Sequence, residues 1–300
     1  MPIEFDNDRV DVGGVDDRRG GGGGLAIGGG AGIVGVIAVI LFQLLGGADP
    51  SQLQIPAGDS SASSSGQQET SEELEQRCNT DGALDQYTDC RLIKTYDIAD
   101  TVWSDEFQRR GLDYNAPRLA FFTSATSTGC GQASAQVGPF YCPQDQEIYF
   151  DLNFLDELQQ RFGAQGEFAQ SYILAHEYGH HLQTLLGTER KMRAAQQQDP
   201  GNQNEYSVAL ELQADCYAGV WATLADKSTE NGINLTAGNI AEAVKAAEAV
   251  GDDRIQKQTQ GRVDPESWTH GSAAQRAQWF TTGNSSGDIN SCNTFSAMRL

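Results

Sequence analysis

Apolar and polar positions alternate differently along this chain, and the changes of pattern mark its segments. Leu25 to Gly47 contains no charged residue, and Ile33 to Leu45 reads I-V-G-V-I-A-V-I-L-F-Q-L-L. About 20 uncharged residues suffice to cross a bilayer as a helix, and glycine is tolerated there. The pattern therefore predicts one transmembrane helix over residues 25–47. Residues 1–24, ending in the run Gly20–Gly24, form a glycine-rich tail before it. Residues 48–75, rich in Ser, Gly and Gln, read as a disordered linker after it. From Glu72 the spacing turns helical, and Leu92, Ile93, Tyr96, Ile98, Ala99, Val102, Trp103 and Phe107 make a stripe of helical period, expected in a core. Arg118–Thr123 and Glu147–Leu152 read as short strands, separated by a stretch from Thr128 to Pro143 punctuated by glycine and proline. Phe168–Leu186 reads as a helix, with Gly187 suited to its C-terminal cap. Gln196–Asn204 breaks the pattern as a polar loop, and a second long helix follows from about Tyr206 to Ala225. The expected fold is α+β and mainly helical, with a small sheet, in one domain over residues 76–300, large enough to bury a core.

Charge and cysteine usage sharpen this picture. A net charge of −21 argues against nucleic acid, whose phosphates require clustered Lys and Arg. It also disfavours adhesion to anionic lipid. Arg9, Arg18 and Arg19 precede the apolar span, and no Lys or Arg follows it until Arg77. The positive-inside rule then places the N-terminal tail in the cytoplasm and the domain outside, in a periplasmic or extracellular space, on a single-pass anchor. All six cysteines, Cys78, Cys90, Cys130, Cys142, Cys216 and Cys292, lie beyond the span, as disulfides in an oxidising compartment would. Six cysteines permit about 15 pairings. Short separations favour Cys78–Cys90 and Cys130–Cys142, which leaves Cys216 with Cys292.

The chemistry concentrates at residues 176–181, H-E-Y-G-H-H, which hold three of the four histidines in the chain. His176 and His180 are four apart, so a helix puts both imidazoles on one face, a spacing that lets them bind one Zn²⁺. Glu177, beside the first, is placed to act as general base on a metal-activated water. His181 is rotated about 100° from His180 and points elsewhere. A catalytic zinc takes a third protein ligand. The second helix offers E-L-Q-A-D-C at 211–216. There Glu211 would complete the site, and Asp215, four residues on, would accept a ligand histidine's ring N–H. His270 lies in a loop before a short helix starting near Ser272. It is a candidate to stabilise the oxyanion of a tetrahedral intermediate, with Tyr206 and Tyr217 weaker candidates for that role.

H-E-Y-G-H-H followed by E-L-Q-A-D-C-Y-A-G-V-W resembles the bacterial neutral zinc metallopeptidase family, membrane-anchored proteins of the zincin type. The resemblance extends to D-D-R-R-G before the glycine-rich span, C-G-Q-A-S-A-Q-V-G-P-F-Y-C-P, G-D-D-R-I-Q at 251–256 and T-H-G-S-A-A-Q-R-A-Q-W-F at 269–280. It implies a zincin-like domain of gluzincin pattern, with His176, His180 and Glu211 as zinc ligands and Glu177 as base. The family's shared cysteines correspond to Cys130, Cys142, Cys216 and Cys292. The expected activity is hydrolysis of a peptide or protein substrate. The alternative is a membrane-anchored scaffold or binding protein that keeps a zinc site without catalysis.

Overall fold

The computed structural model of the chain describes residues 2–19, 69–155, 159, 166–228, 231–296 and 298. The span expected at 25–47 lies outside them. Among the described residues, no helix is long and apolar enough to cross a membrane.

Two helices form the centre because they are apolar on nearly every side, a pattern that only full burial accommodates. With helices α1 (Ser71–Cys78), α2 (Ala83–Gln86) and α3 (Thr88–Arg110) counted first, these are α4 (Glu167–Leu185) and α6 (Gln203–Lys227). Helix α3 carries the predicted apolar stripe into this core, with Trp103, Ile93 and Ile98 wholly buried. It ends where Gly111 adopts a left-handed conformation at φ +66°. Helices α7 (Ala237–Ala249), α8 (Asp252–Gln260) and α9 (Ala273–Ser286) close the other side. Thr236 with Asn239 and Ser272 with Gln275 form reciprocal caps that start α7 and α9.

The main sheet has the order β2 (Val15–Asp17), β3 (Arg118–Phe122), β7 (Glu147–Asp151), β6 (Phe140–Cys142). Strands β2, β3 and β7 are parallel, with Val15 opposite Leu119 and Leu119 opposite Ile148. Strand β6 runs antiparallel to β7 and ends the sheet on the side of α4. A hairpin of β4 (Ala125–Thr128) and β5 (Gly131–Ser134) projects from it, and β1 (Glu4–Phe5) pairs with β8 (Ile233–Asn234). Cys78–Cys90, Cys130–Cys142 and Cys216–Cys292 are all bonded. These are the pairings that chain separation favoured.

The largest departure from expectation is at the N-terminus. Residues 2–19, expected within a tail separate from the domain, are part of it: β2 is a strand of the main sheet, and Ile3, Val10, Val12 and Val15 are buried. The alternation V-D-V-G-G-V-D-D is a strand signal that the surrounding Asp and Gly obscure. The domain also begins before residue 76. Thr70 caps α1, its hydroxyl accepting from Glu73 N–H while Glu73 reaches back to Thr70 N–H, so helix replaces the linker's last residues. Gln196 to Gln198 are helical as well. The run T-E-R-K-M-R-A-A-Q-Q-Q is composed of good helix formers and continues as α5 (Thr188–Gln198) until Pro200 interrupts it. The stretch from Thr128 to Pro143 contains β5 and β6, too short for alternation to show.

Helices α6 and α9 approach almost to backbone contact. A Cβ on Gly283 would sit 1.9 Å from the Cys216 carbonyl oxygen, and one on Gly219 would sit 2.0 Å from that of Phe280. Gly283→Ala must therefore push the helices apart, at an expected cost of about 3 kcal/mol or more. Urea unfolding reads this directly, and an unchanged midpoint would rule out such close packing.

Candidate metal centre

The site lies where α4 crosses α6. Gly179 permits the crossing: a Cβ there would come to 3.0 Å from Ala214 Cα and its carbonyl oxygen. One face of α4 then presents His176 and His180 to Glu211 of α6. One candidate ligand atom from each of the three lies within 4.8 Å of the others. His176 Nε2 stands 3.2 Å from Glu211 Oε2, and His180 Nε2 stands 3.5 Å from Glu211 Oε1.

The opposite ring nitrogens are engaged elsewhere. His176 Nδ1 is 2.8 Å from Asp215 Oδ1, and His180 Nδ1 is 2.8 Å from Gln183 Oε1. Both acceptors call for a proton on Nδ1, which turns each Nε2 toward Glu211, where it can bind a metal once it gives up its proton. Gln183 is itself fixed, its amide donating to Leu210 O at 2.7 Å and to Gln213 Oε1 at 3.2 Å. Gln213 in turn donates to Cys292 O at 2.9 Å. Asp215 is gripped by Arg276 of α9, whose Nε reaches Oδ2 at 2.8 Å and whose Nη2 reaches Oδ1 at 2.9 Å. Tyr172, one turn before His176, donates to the same Oδ1 at 2.5 Å.

Buried polar atoms almost always find partners, because leaving one unpaired costs about 1–3 kcal/mol. Here His176 Nε2, Glu177 Oε1, Glu211 Oε2 and His270 Nε2 are buried with no hydrogen-bond partner. Two imidazoles and a carboxylate converge on one point, and with the ring nitrogens deprotonated there they suit a divalent cation. They match the donor set of a zinc site that keeps a fourth position open. The residues present fit such an ion.

The electrostatics follow from burial and these contacts. Burial raises the Glu177 carboxyl above the usual carboxylate range, and the neighbouring histidines offset this only in part. A carboxyl with raised proton affinity is better suited to take up a proton than an exposed one. Burial also opposes charge on Glu211, but the charges of His180 and His270 outweigh it and hold Glu211 well below its ordinary value. Arg276, and then His176, likewise overcome burial to lower Asp215. Burial would depress His176, yet attraction to Asp215 outweighs it and pushes the ring up to about 9. Proton and metal therefore compete for this nitrogen.

His181 lies off the site. Its Nδ1 meets the Tyr141 hydroxyl at 3.0 Å and its Nε2 meets Asn115 O at 2.7 Å, so it ties α4 to β6 and to the loop before β3. Burial lowers its pKa to about 4. Since this folded value lies below the unfolded value of about 6.5, the unfolded chain binds more protons between them. The contribution is complete above about pH 6.5 and is lost as pH falls toward 4, by at most about 3 kcal/mol. Urea midpoints of the metal-free protein should fall more steeply over that window than those of His181→Gln, whereas parallel curves would refute this role.

Of the candidates for the oxyanion, Tyr217 is core, packed edge-on against Trp103, and Tyr206 packs with Met192 and Phe295. His270 is the one beside the site. A side chain on the next residue, Gly271, would touch Val208 and Leu212, which flank Glu211 on α6. Asp252 shapes this loop, with Oδ2 accepting the backbone N–H groups of Thr269, His270 and Gly271 at 2.8, 2.7 and 3.0 Å. Its Oδ1 lies 3.3 Å from His270 Nδ1. Sequence reasoning did not single out Tyr172, Gln183, Gln213, Asp252 or Arg276. Tyr172 and Gln183 could have been found by helical spacing, at four before His176 and three after His180. Asp252 and Arg276 lie within segments quoted for the family resemblance, but nothing in their spacing pointed toward a metal.

The chain is 46% identical over 231 residues to uncharacterized proteins of Mycobacterium bovis and Mycobacterium tuberculosis, covering 75% of this chain and 76% of theirs. It is 48% identical over 195 residues to the uncharacterized protein YpfJ of Escherichia coli, covering 65% of this chain and 67% of that one. No solved structure matches it. Residues 4–295 match the family described as "Putative neutral zinc metallopeptidase", which takes in the metal face, its supporting residues and the N-terminal strands. The chain belongs to that family.

Proposed function

We propose that the protein is a zinc-dependent endopeptidase acting outside the cytoplasmic membrane, with His176, His180 and Glu211 holding the ion. The observation that carries this reading is Glu177. It is buried beside the converging donors, its Oε1 has no hydrogen-bond partner, and it belongs to no ligand group among the described residues. A purely structural zinc would be closed by four protein ligands and would leave such a carboxylate without a task. This weighs against the scaffold alternative.

Zinc, when bound, supplies Lewis-acid polarisation of the scissile carbonyl and lowers the pKa of water to about 7. Glu177 Oε1 accepts the proton of the attacking water and passes it to the leaving amine nitrogen. Asp215 and Gln183 keep both histidine rings oriented with Nε2 inward. His270, whose Nδ1 lies 3.1 Å from Thr269 Oγ1 and 3.3 Å from Asp252 Oδ1, is oriented to turn Nε2 to the developing oxyanion. Strand β6 is an antiparallel sheet end beside α4, and its outer edge suits an extended peptide added as a further strand. The three disulfides support an oxidising compartment.

Chelation tests the reading. Full-length protein treated with 1,10-phenanthroline and dialysed should lose cleavage of casein, and stoichiometric zinc should restore it where magnesium does not. Chelated protein that cleaves at the untreated rate would remove the basis for a zinc peptidase.

A further inference from the structure

Behind His176 stands Asp215, and behind Asp215 stands an arginine. Arg276 is 1% exposed, and both Asp215 oxygens receive its fork. Its Nη1 reaches Val250 O at 3.3 Å, and its Nη2 lies 3.4 Å from both the Tyr172 hydroxyl and His176 Nδ1. Tyr172 and His176 both hold the carboxylate at Oδ1 only, which leaves it free to rotate about its own bond. A planar guanidinium bonded to both oxygens fixes that plane, which an ammonium point charge cannot do.

We propose that Arg276 is a positioning residue for the metal centre, which locks the Asp215 carboxylate so that Oδ1 meets His176 Nδ1 and Nε2 stays aimed at Glu211. The proposal rests on the zinc reading above. The placement of Arg276 is set by the fold rather than by the site. Helix α9 is capped by Ser272 and Gln275 four residues or fewer before it, and seated on α6 through Gly219 and Gly283. His180 has no such arrangement, since its Nδ1 meets the neutral amide of Gln183.

The test is made on the full chain with Arg276→Met and Arg276→Lys, each checked for folding by circular dichroism. Zinc affinity is read by chelator competition, and ligand geometry by the visible spectrum of the cobalt-substituted protein. Arg276→Met should bind zinc 10–100-fold more weakly than wild type, with shifted cobalt bands. Arg276→Lys, which keeps the charge and loses the fork, should fall between the two. Folded variants with wild-type affinity and spectrum overturn the proposal and leave Arg276 a packing residue. If Arg276→Met fails to fold, Arg276→Lys decides alone, and unchanged affinity there overturns it. A wild type that binds no zinc overturns the metal reading itself.

A different observation carries a second inference. Residues 2–19 are joined to the domain by backbone pairing at β1–β8 and β2–β3, and by side chains that leave no slack. Lys94 is 1% exposed, and its ammonium donates to Asn7 Oδ1 at 2.8 Å, Arg9 O at 2.9 Å and Asn231 Oδ1 at 2.7 Å. Arg18 pairs with Glu147 and Arg19 with Asp89, each at 2.8 Å. These are arginines that the positive-inside rule would retain in the cytoplasm. Backbone hydrogen bonds and ion pairs cannot form across a hydrocarbon layer about 30 Å thick. We infer that residues 2–19 lie on the same side of the membrane as the domain they pair with, which does not fit the single-pass anchor, in either orientation, expected from the sequence.

Asp8→Cys and Gln260→Cys place single reporters at exposed positions of the two parts. Intact cells expressing each full-length variant are treated with a membrane-impermeant maleimide, with detergent-opened cells as the reference. Both cysteines should react in intact cells, or both only after detergent. One reacting and the other protected overturns the inference.

Discussion

Glu177→Gln should leave about one zinc per chain in place while cleavage falls by a factor of roughly 10²–10⁴, the usual contribution of a positioned general base. The substitution keeps the size and shape of the side chain. It replaces the oxygen-only carboxylate, buried and raised above the usual carboxylate range, with an amide that cannot take a proton from water. Because Glu177 stands outside the group formed by His176, His180 and Glu211, metal content should not change. Metal analysis and initial rates on one preparation check both halves. Cleavage within threefold of wild type would exclude Glu177 as the base.

Glu211→Gln should have the opposite signature, with metal lost first and activity lost as a consequence. Glu211 supplies the negative charge between two imidazoles whose Nε2 atoms lie 3.2 and 3.5 Å from its oxygens. An amide offers one weaker oxygen and turns an N–H toward a ring nitrogen or the ion. Zinc affinity should fall at least about 100-fold, beyond the 10–100-fold typical of partners that only orient a ligand. Asp215→Asn should stay within that smaller range. Chelator competition ranks the two, and equal losses would mean that Glu211 also acts from behind the ligands. In the metal-free state Glu211→Gln should cost less stability than removing Asp215, which answers the fully buried charge of Arg276.

How much of this was legible in the sequence depends on the range of the interaction. His176, Glu177 and His180 are fixed relative to one another by one helix, so their spacing carried the geometry. Glu211 and Asp215 share a turn of α6, and that local pairing was equally readable. The crossing that brings the two helices together depends on Gly179 against Ala214, which no local pattern announces. Arg276 was hidden for the same reason: it reaches Asp215 from 61 positions away, through a contact made by Gly219 and Gly283. His270 could be named but not placed until Asp252 was seen to draw in three consecutive N–H groups of its loop. The N-terminal strand was missed because charge and glycine content were read as a solvated tail. In the fold, Asp17 and Arg18 instead serve ion pairs at the sheet's edge. The helix of residues 188–198 was not read from the sequence, and its last three residues were placed in a polar loop because glutamine was taken as loop, although it favours helix.

The most direct test is hydrolysis itself, followed by mass spectrometry. Zinc-loaded full-length protein is incubated with a library of unstructured peptides in H₂¹⁸O. The account predicts internal cleavage with one ¹⁸O in each new carboxyl terminus, absent from the Glu177→Gln control at matched zinc content. A protein that holds its zinc and leaves every peptide intact would contradict it.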